Sequence, residues 1–125
     1  MTKENIKVYK KEFLAELEEQ VWRKEMNIAF DLSKIPDIEK LRDDRFQQLD
    51  ELNGEFKKID LADTTKVTRV KRKDLEKKIA AAEEFTLSCD ETITAIKVNT
   101  SKEKEKVDQI NARIKFAETY GSDQN

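Results

Sequence analysis

The chain has 125 residues, 27 of them acidic and 25 basic, with a formal net charge of −2, no His, one Cys, two Gly and one Pro. A single domain is the natural prior at that length. No run of about 18 apolar residues occurs, so no segment reads as membrane-spanning, and the near balance of charge gives no global pull toward nucleic acid or anionic lipid.

Charged residues make up 42% of the chain and apolar residues 37%. That profile, poor in Gly and Pro, fits long helices. Disorder is the rival reading at such polarity. The apolar periodicity of the chain is too regular for it. With so little apolar material the core must be thin, and a thin core gains stability from association. The opening MTKENIKVYKK carries no apolar stretch of the secretory kind. Cys89 is the only cysteine, so no intramolecular disulfide forms, and a cytoplasmic setting is expected. Asn99-Thr100-Ser101 matches a glycosylation acceptor, read as chance.

The first helix is predicted over about residues 2–32. Ile6, Tyr9, Phe13, Leu17 and Val21 recur at spacings of three and four, with Ile28 further along, which defines one helix face. Leu14, Trp22, Met26 and Phe30 widen the stripe. Met26, Ile28, Phe30 and Leu32 also alternate with period two, as a short strand would. Ser33-Lys34-Ile35-Pro36 reads as a stop, with Ser33 or Asp37 as a cap and Pro36 in a first turn.

A second helix is predicted over about 36–61, with a stripe of Ile38, Leu41, Phe46, Leu49, Leu52, Phe56 and Ile59. Gly54 lies inside it, marking either a close helix approach or a weak point. Residues 31–63 hold ten acids against six bases. Asp63 is a plausible N-cap for the third helical segment. Thr64 to Val70 is rich in weak helix formers, so a short strand or irregular start is an alternative there.

The strongest periodic signal runs from Leu75 through Ile79, Ala82, Thr86, Cys89, Ile93, Ile96, Thr100, Glu103, Val107, Ile110 and Ile114 to Ala117. These 13 positions alternate by four and three, and ten are apolar. Such a repeat keeps a seam against a partner helix. Thr100 and Glu103 interrupt the apolar run and have capping-box spacing. Helices over 66–98 and 101–119 and one unbroken helix are therefore both open. Thr92, Thr94 and Val98 raise local strand propensity. Gly121 is placed as the residue that ends the last helix, with a polar tail over 122–125. Short connections favour antiparallel neighbours, the first two helices forming a hairpin with the third segment along it.

Little chemistry survives elimination. Without His there is no Ser-His-Asp or Cys-His catalysis and no His-based zinc or di-iron site. Two isolated glycines exclude phosphate-cradling loops, and one Cys excludes a thiolate zinc cage. The pairs Glu16/Glu19, Asp43/Asp44, Glu83/Glu84 and Asp90/Glu91 read as solvated faces rather than acid–base or Mg²⁺ sites. Cys89 reads as core, the other option being a thiol meeting its copy in a dimer. No catalytic, cofactor or metal residue is assigned.

One local charge anomaly stands out. Lys66, Arg69, Lys71, Arg72, Lys73, Lys77 and Lys78 meet only Asp74 and Glu76. On a helix Lys66, Arg69, Lys73 and Lys77 share a face. Phosphate tracking on nucleic acid is one reading and a basic nuclear-type signal another; complementarity to the acidic second segment, within the same bundle or across a dimer, is the plainer one. Trp22, Met26 and Phe30 are core or, if exposed, partner anchors.

These features add up to an all-α protein, an elongated three- or four-helix bundle or antiparallel coiled-coil hairpin with a long C-terminal heptad helix, in one domain. The expected role is non-enzymatic: assembly, scaffolding, chaperoning or adapting through a seam of Leu75, Ile79, Ala82, Cys89, Ile93, Ile96, Val107, Ile110 and Ile114, which completes an intramolecular bundle, zips to its own copy or docks on another protein, with a protein partner or a second copy and no membrane. The alternatives are a regulator binding nucleic acid through 66–78, and a small inhibitor covering a target with its acidic surface around Asp37 to Glu55.

Overall fold

The computed structural model describes the backbone of residues 3–60 and 62–122, and the side chains of 10–60 and 62–119. It contains three helices: α1 (Lys3–Ser33), α2 (Ile35–Lys57) and α3 (Lys66–Ser122). Among the described residues there is no strand. The strand alternatives at 26–32 and 92–98 are thus replaced by helix, and residues 64 and 65 are loop. The side chains of Ile6 and Tyr9, together with Leu61 and residues 123–125, lie outside the described residues.

The single domain expected from length divides into two compact units, one of residues 1–33 with 96–125, the other of residues 34–95. In the second unit α2 pairs with residues 66–95 of α3. Arg42 reaches Asp90 at 2.8 Å, and Arg45 sits 4.5 Å from the ring centroid of Phe85. The partner number falls as the α2 number rises, so the pairing is antiparallel. In the first unit Lys24 bonds Glu103 at 3.1 Å, while Phe13 shares a groove with Ala112 and Phe116, again an antiparallel arrangement.

Within the second unit α2 and residues 66–95 of α3 form an antiparallel hairpin. Only Lys34 separates α1 from α2, and its backbone is itself right-handed helical, φ −75° and ψ −25°. Its carbonyl accepts the Ile38 N–H at 3.2 Å. Pro36 stands in the first turn of α2, where a missing N–H does least harm. Reversal of the chain between α2 and α3 takes a loop of several residues.

Residues 58–65 supply that loop, and they end α2 at Lys57 rather than near residue 61. Lys58 and Ile59 donate to the carbonyls of Glu55 and Phe56 at 3.2 and 3.1 Å, the tightened bonding of a helix terminus. Asp60 then accepts the Ala62 N–H at 2.9 Å, and Asp63 the Thr65 N–H at 3.0 Å. Both are Asx turns, in which a short carboxylate side chain competes with helix for backbone donors.

The cap of α3 is Thr65, not Asp63. The Thr65 hydroxyl oxygen accepts the Thr68 N–H at 3.4 Å, and the Thr65 carbonyl accepts the Arg69 N–H at 3.0 Å, as an N-cap residue does. Asp63 acts two residues earlier, also accepting the Thr68 hydroxyl at 2.9 Å. These bonds, the Thr65 N–H first, hold the Asp63 carboxyl below its ordinary range. A depressed pKa gives stability that is present above the unfolded value, about 3.9, and is lost as pH falls through the folded one. Asp63→Ala should therefore be less stable than the parent at pH 7, and the gap in urea midpoints should close below about pH 4.

Along α3 all 13 positions of the three–four series are buried or half-buried. The helix passes 98–101 without a break, so the unbroken one of the two open readings is found, and it includes Gly121 in its last turn, so the end expected at that glycine is absent. The buried or half-buried residues that follow a three–four spacing are Lys10, Leu14, Leu17, Val21, Lys24, Ile28 and Asp31 in α1, and Ile35, Ile38, Arg42, Arg45, Leu49, Leu52 and Phe56 in α2; Leu32, Glu39 and Gly54 are half-buried beside them. Arg42 and Arg45 take the inward positions there, and Leu41 and Phe46 are left 55% and 44% exposed. An arginine stem covers apolar neighbours while its head finds a charge or ring. The core is thin: among the described residues no large side chain is completely enclosed.

Gly54 is no close-approach point. A Cβ built there meets nothing within 4 Å, and its φ is not positive. Gly54→Ala should stabilise the protein by about 0.5–1 kcal/mol, through helix propensity and a less disordered unfolded chain. A shift of the urea midpoint upward with an unchanged slope is the check.

Candidate interaction surfaces

The seam residues of α3 are covered within the chain, as the intramolecular reading of the seam expects. Leu75, Ala82, Cys89, Ile93, Val107 and Ile110 are buried, and Ile79, Ile96 and Ile114 half-buried. Its polar members are satisfied locally. The buried hydroxyls of Thr86 and Thr100 donate to the carbonyls of Glu83 and Lys97 at 2.8 and 3.0 Å. Glu103 accepts from Lys106 and, across the unit, from Lys24, both at 3.1 Å. Those two bonds, Lys106 first, lower the Glu103 pKa. Lys24, the Glu103 partner on α1, falls on the three–four series 10, 14, 17, 21, 24, 28 and 31. Cys89 is a free, buried thiol, and its neighbour Asp90 is engaged by Arg42.

Trp22, Met26 and Phe30 are not core. They are 61%, 54% and 63% exposed. At about 100° per residue, Met26 lies two residues from buried Ile28 and so on nearly the opposite side of α1. The three side chains succeed one another by one turn each, a ridge running some 12 Å along the axis. Acids border it: Glu18, Glu19 and Glu25 are exposed, and only Glu19 of these is paired, to Arg23 at 2.7 Å.

Two further apolar groups were not anticipated. Phe13, expected in the stripe of α1, is 51% exposed, and Phe116 is 61% exposed. With Ala112, Arg113 and Ala117 they line an open groove of about 500 Å³. Phe13 falls outside the covered series 10, 14, 17, 21, 24, 28 and 31, three of whose members are charged, so the apolar pattern alone does not reveal it.

The basic block separates into two groups. Lys66, Arg69, Lys73 and Lys77 are exposed on one side of α3. Lys71 is exposed on another side, and Lys78 is drawn to Asp74 at 3.1 Å. Arg72 is half-buried, with its Nε buried and unbonded among the described residues, and its charge acts on Asp63. Among the described residues no ion pair joins 66–78 to α2; the pair that crosses this unit, Arg42 with Asp90, has the base on α2 and the acid on α3.

The acids of α2 at Asp37, Asp43, Asp44, Asp50, Glu51 and Glu55 are exposed, as are the carboxylate pairs at 16/19, 43/44, 83/84 and 90/91. No group of three or more potential metal ligands gathers among the described residues, and no described helix is long and apolar enough to cross a membrane. Comparison with protein-family models, with curated proteins and with solved structures found no match.

Proposed function

We propose that this chain is a non-enzymatic protein–protein interaction protein, an assembly or adaptor subunit that presents the α1 ridge to a helix of a partner protein. The helix pairings within each unit are, on this reading, antiparallel coiled coils whose heptad seams are filled by the chain itself. The docking face is then the outward one. The observation that carries this is the exposure of Trp22, Met26 and Phe30 at one-turn spacing on the side of α1 away from its buried residues. Large apolar side chains arranged in this way are the anchors of helix-to-helix recognition.

Charge decides between occupants. Glu18 and Glu25 flank the ridge without a counter-charge among the described residues. A second copy packed on the ridge would bring like charges together, which is unfavourable. An amphipathic helix bearing Lys or Arg beside its apolar face would match it.

Trp22 is the only tryptophan and so reports on the ridge directly. A synthetic helical peptide with leucines at three–four spacing and flanking lysines should move Trp22 emission to shorter wavelength. Its glutamate-flanked twin should not. Met26→Ala with Phe30→Ala should weaken the lysine peptide at least tenfold, the usual effect of losing anchor residues. Emission unchanged by either peptide would overturn the reading. A concentration-dependent shift of the protein alone, with a dimer mass by light scattering, would replace the partner helix by a second copy.

A further inference from the structure

We propose that the first three turns of α3 bind the phosphate backbone of a nucleic-acid duplex. This surface is separate from the α1 ridge and stands or falls independently of it. Lys66, Arg69, Lys73 and Lys77 are all exposed, and none has an ion-pair partner among the described residues, where the neighbouring Lys78 does. The fold therefore does not use these charges. Their spacing of three, four and four residues sets them about 4.5 to 6 Å apart along the axis, over roughly 17 Å. A straight, regularly spaced row of cations fits a linear row of phosphates. The acids within 66–78 are Asp74, paired to Lys78 at 3.1 Å, and Glu76.

The chemistry of the face selects the polyanion. No aromatic side chain lies between residues 66 and 78, so bases have nothing to stack on, and a single strand gains no advantage over a duplex. Val67 and Val70 are 79% and 59% exposed. Two valines are little apolar area for a helix that must sink into a lipid interface, where binding scales with buried apolar surface. Contacts confined to phosphates give affinity without sequence preference and a strong response to salt.

Fluorescence anisotropy of a labelled mixed-sequence DNA duplex tests this with the full chain. Four phosphate contacts predict a slope of log affinity against log salt near −3.6, an affinity loss of about 100-fold between 50 and 200 mM salt. The variant K66Q/R69Q/K73Q/K77Q, checked for unchanged helicity by far-UV dichroism, should bind at least tenfold more weakly at 50 mM salt with a much flatter slope. The control K102Q/K104Q/K115Q, altered at exposed lysines of the other unit, should bind as the parent does. Duplex binding that the fourfold variant loses and the control keeps supports the proposal, whatever lipid vesicles do. No duplex binding at 50 mM salt, equal losses in both variants, or binding to phosphatidylserine vesicles in place of the duplex overturns it.

Discussion

Ser101→Pro should destabilise the protein by about 3 kcal/mol or more. Ser101 is exposed, so the effect comes from backbone alone. In an unbroken α3 a proline at 101 removes the hydrogen bond to the Lys97 carbonyl, and its ring collides with that carbonyl. The same substitution discriminates sharply against a break at Asn99. Were Thr100 the cap of a separate helix, residue 101 would be its first position, where proline is favoured, and the variant would be near neutral. The bonding pattern explains why the helix continues. Thr100 donates its hydroxyl to Lys97, and the Glu103 carboxylate is turned to Lys24 and Lys106, so neither side chain bonds as it would in a capping box. Urea unfolding of S101P beside Ser101→Ala separates the cases: a near-neutral S101P would refute the single helix.

Ile93→Ala should cost about 2–4 kcal/mol, the range for truncating a buried branched side chain. Ile93 is 6% exposed and belongs to a core only one seam deep, so few neighbours are available to fill the space. Thr92 and Thr94 beside it are exposed, and Thr94→Ala should change stability by no more than about 0.5 kcal/mol. That contrast is also the mark of helix over strand. In a strand the inward partners of 93 are 91 and 95; in the helix they are 89, 96 and 100, which is the pattern of burial found. Denaturant midpoints at constant slope measure both variants. Equal, small losses at 93 and 94 would mean that this side of α3 is not packed.

The sequence by itself determined the helices. Balanced charge, few Gly and Pro and a spacing of three and four make strand unprofitable almost everywhere, because that spacing buries apolar groups only when the backbone turns about 100° per residue. It also determined which side of α3 turns inward, since the periodicity is local to one helix. What faces that side is not local. Whether Thr100 and Glu103 end a helix or lie within one depends on Lys24, 79 positions away from Glu103. The placing of Arg42 and Arg45 inward in preference to Leu41 and Phe46 depends on Asp90 and Phe85 across the hairpin. Only the tertiary structure decided that α2 turns back through 58–65 while Lys34 stays helical, that Trp22, Met26 and Phe30 face outward, and that four cations of α3 are left without an ion pair among the described residues. Lys24, Arg42 and Arg45 are placed by partners distant in sequence, and a polar or large apolar side chain takes its place according to what stands opposite it.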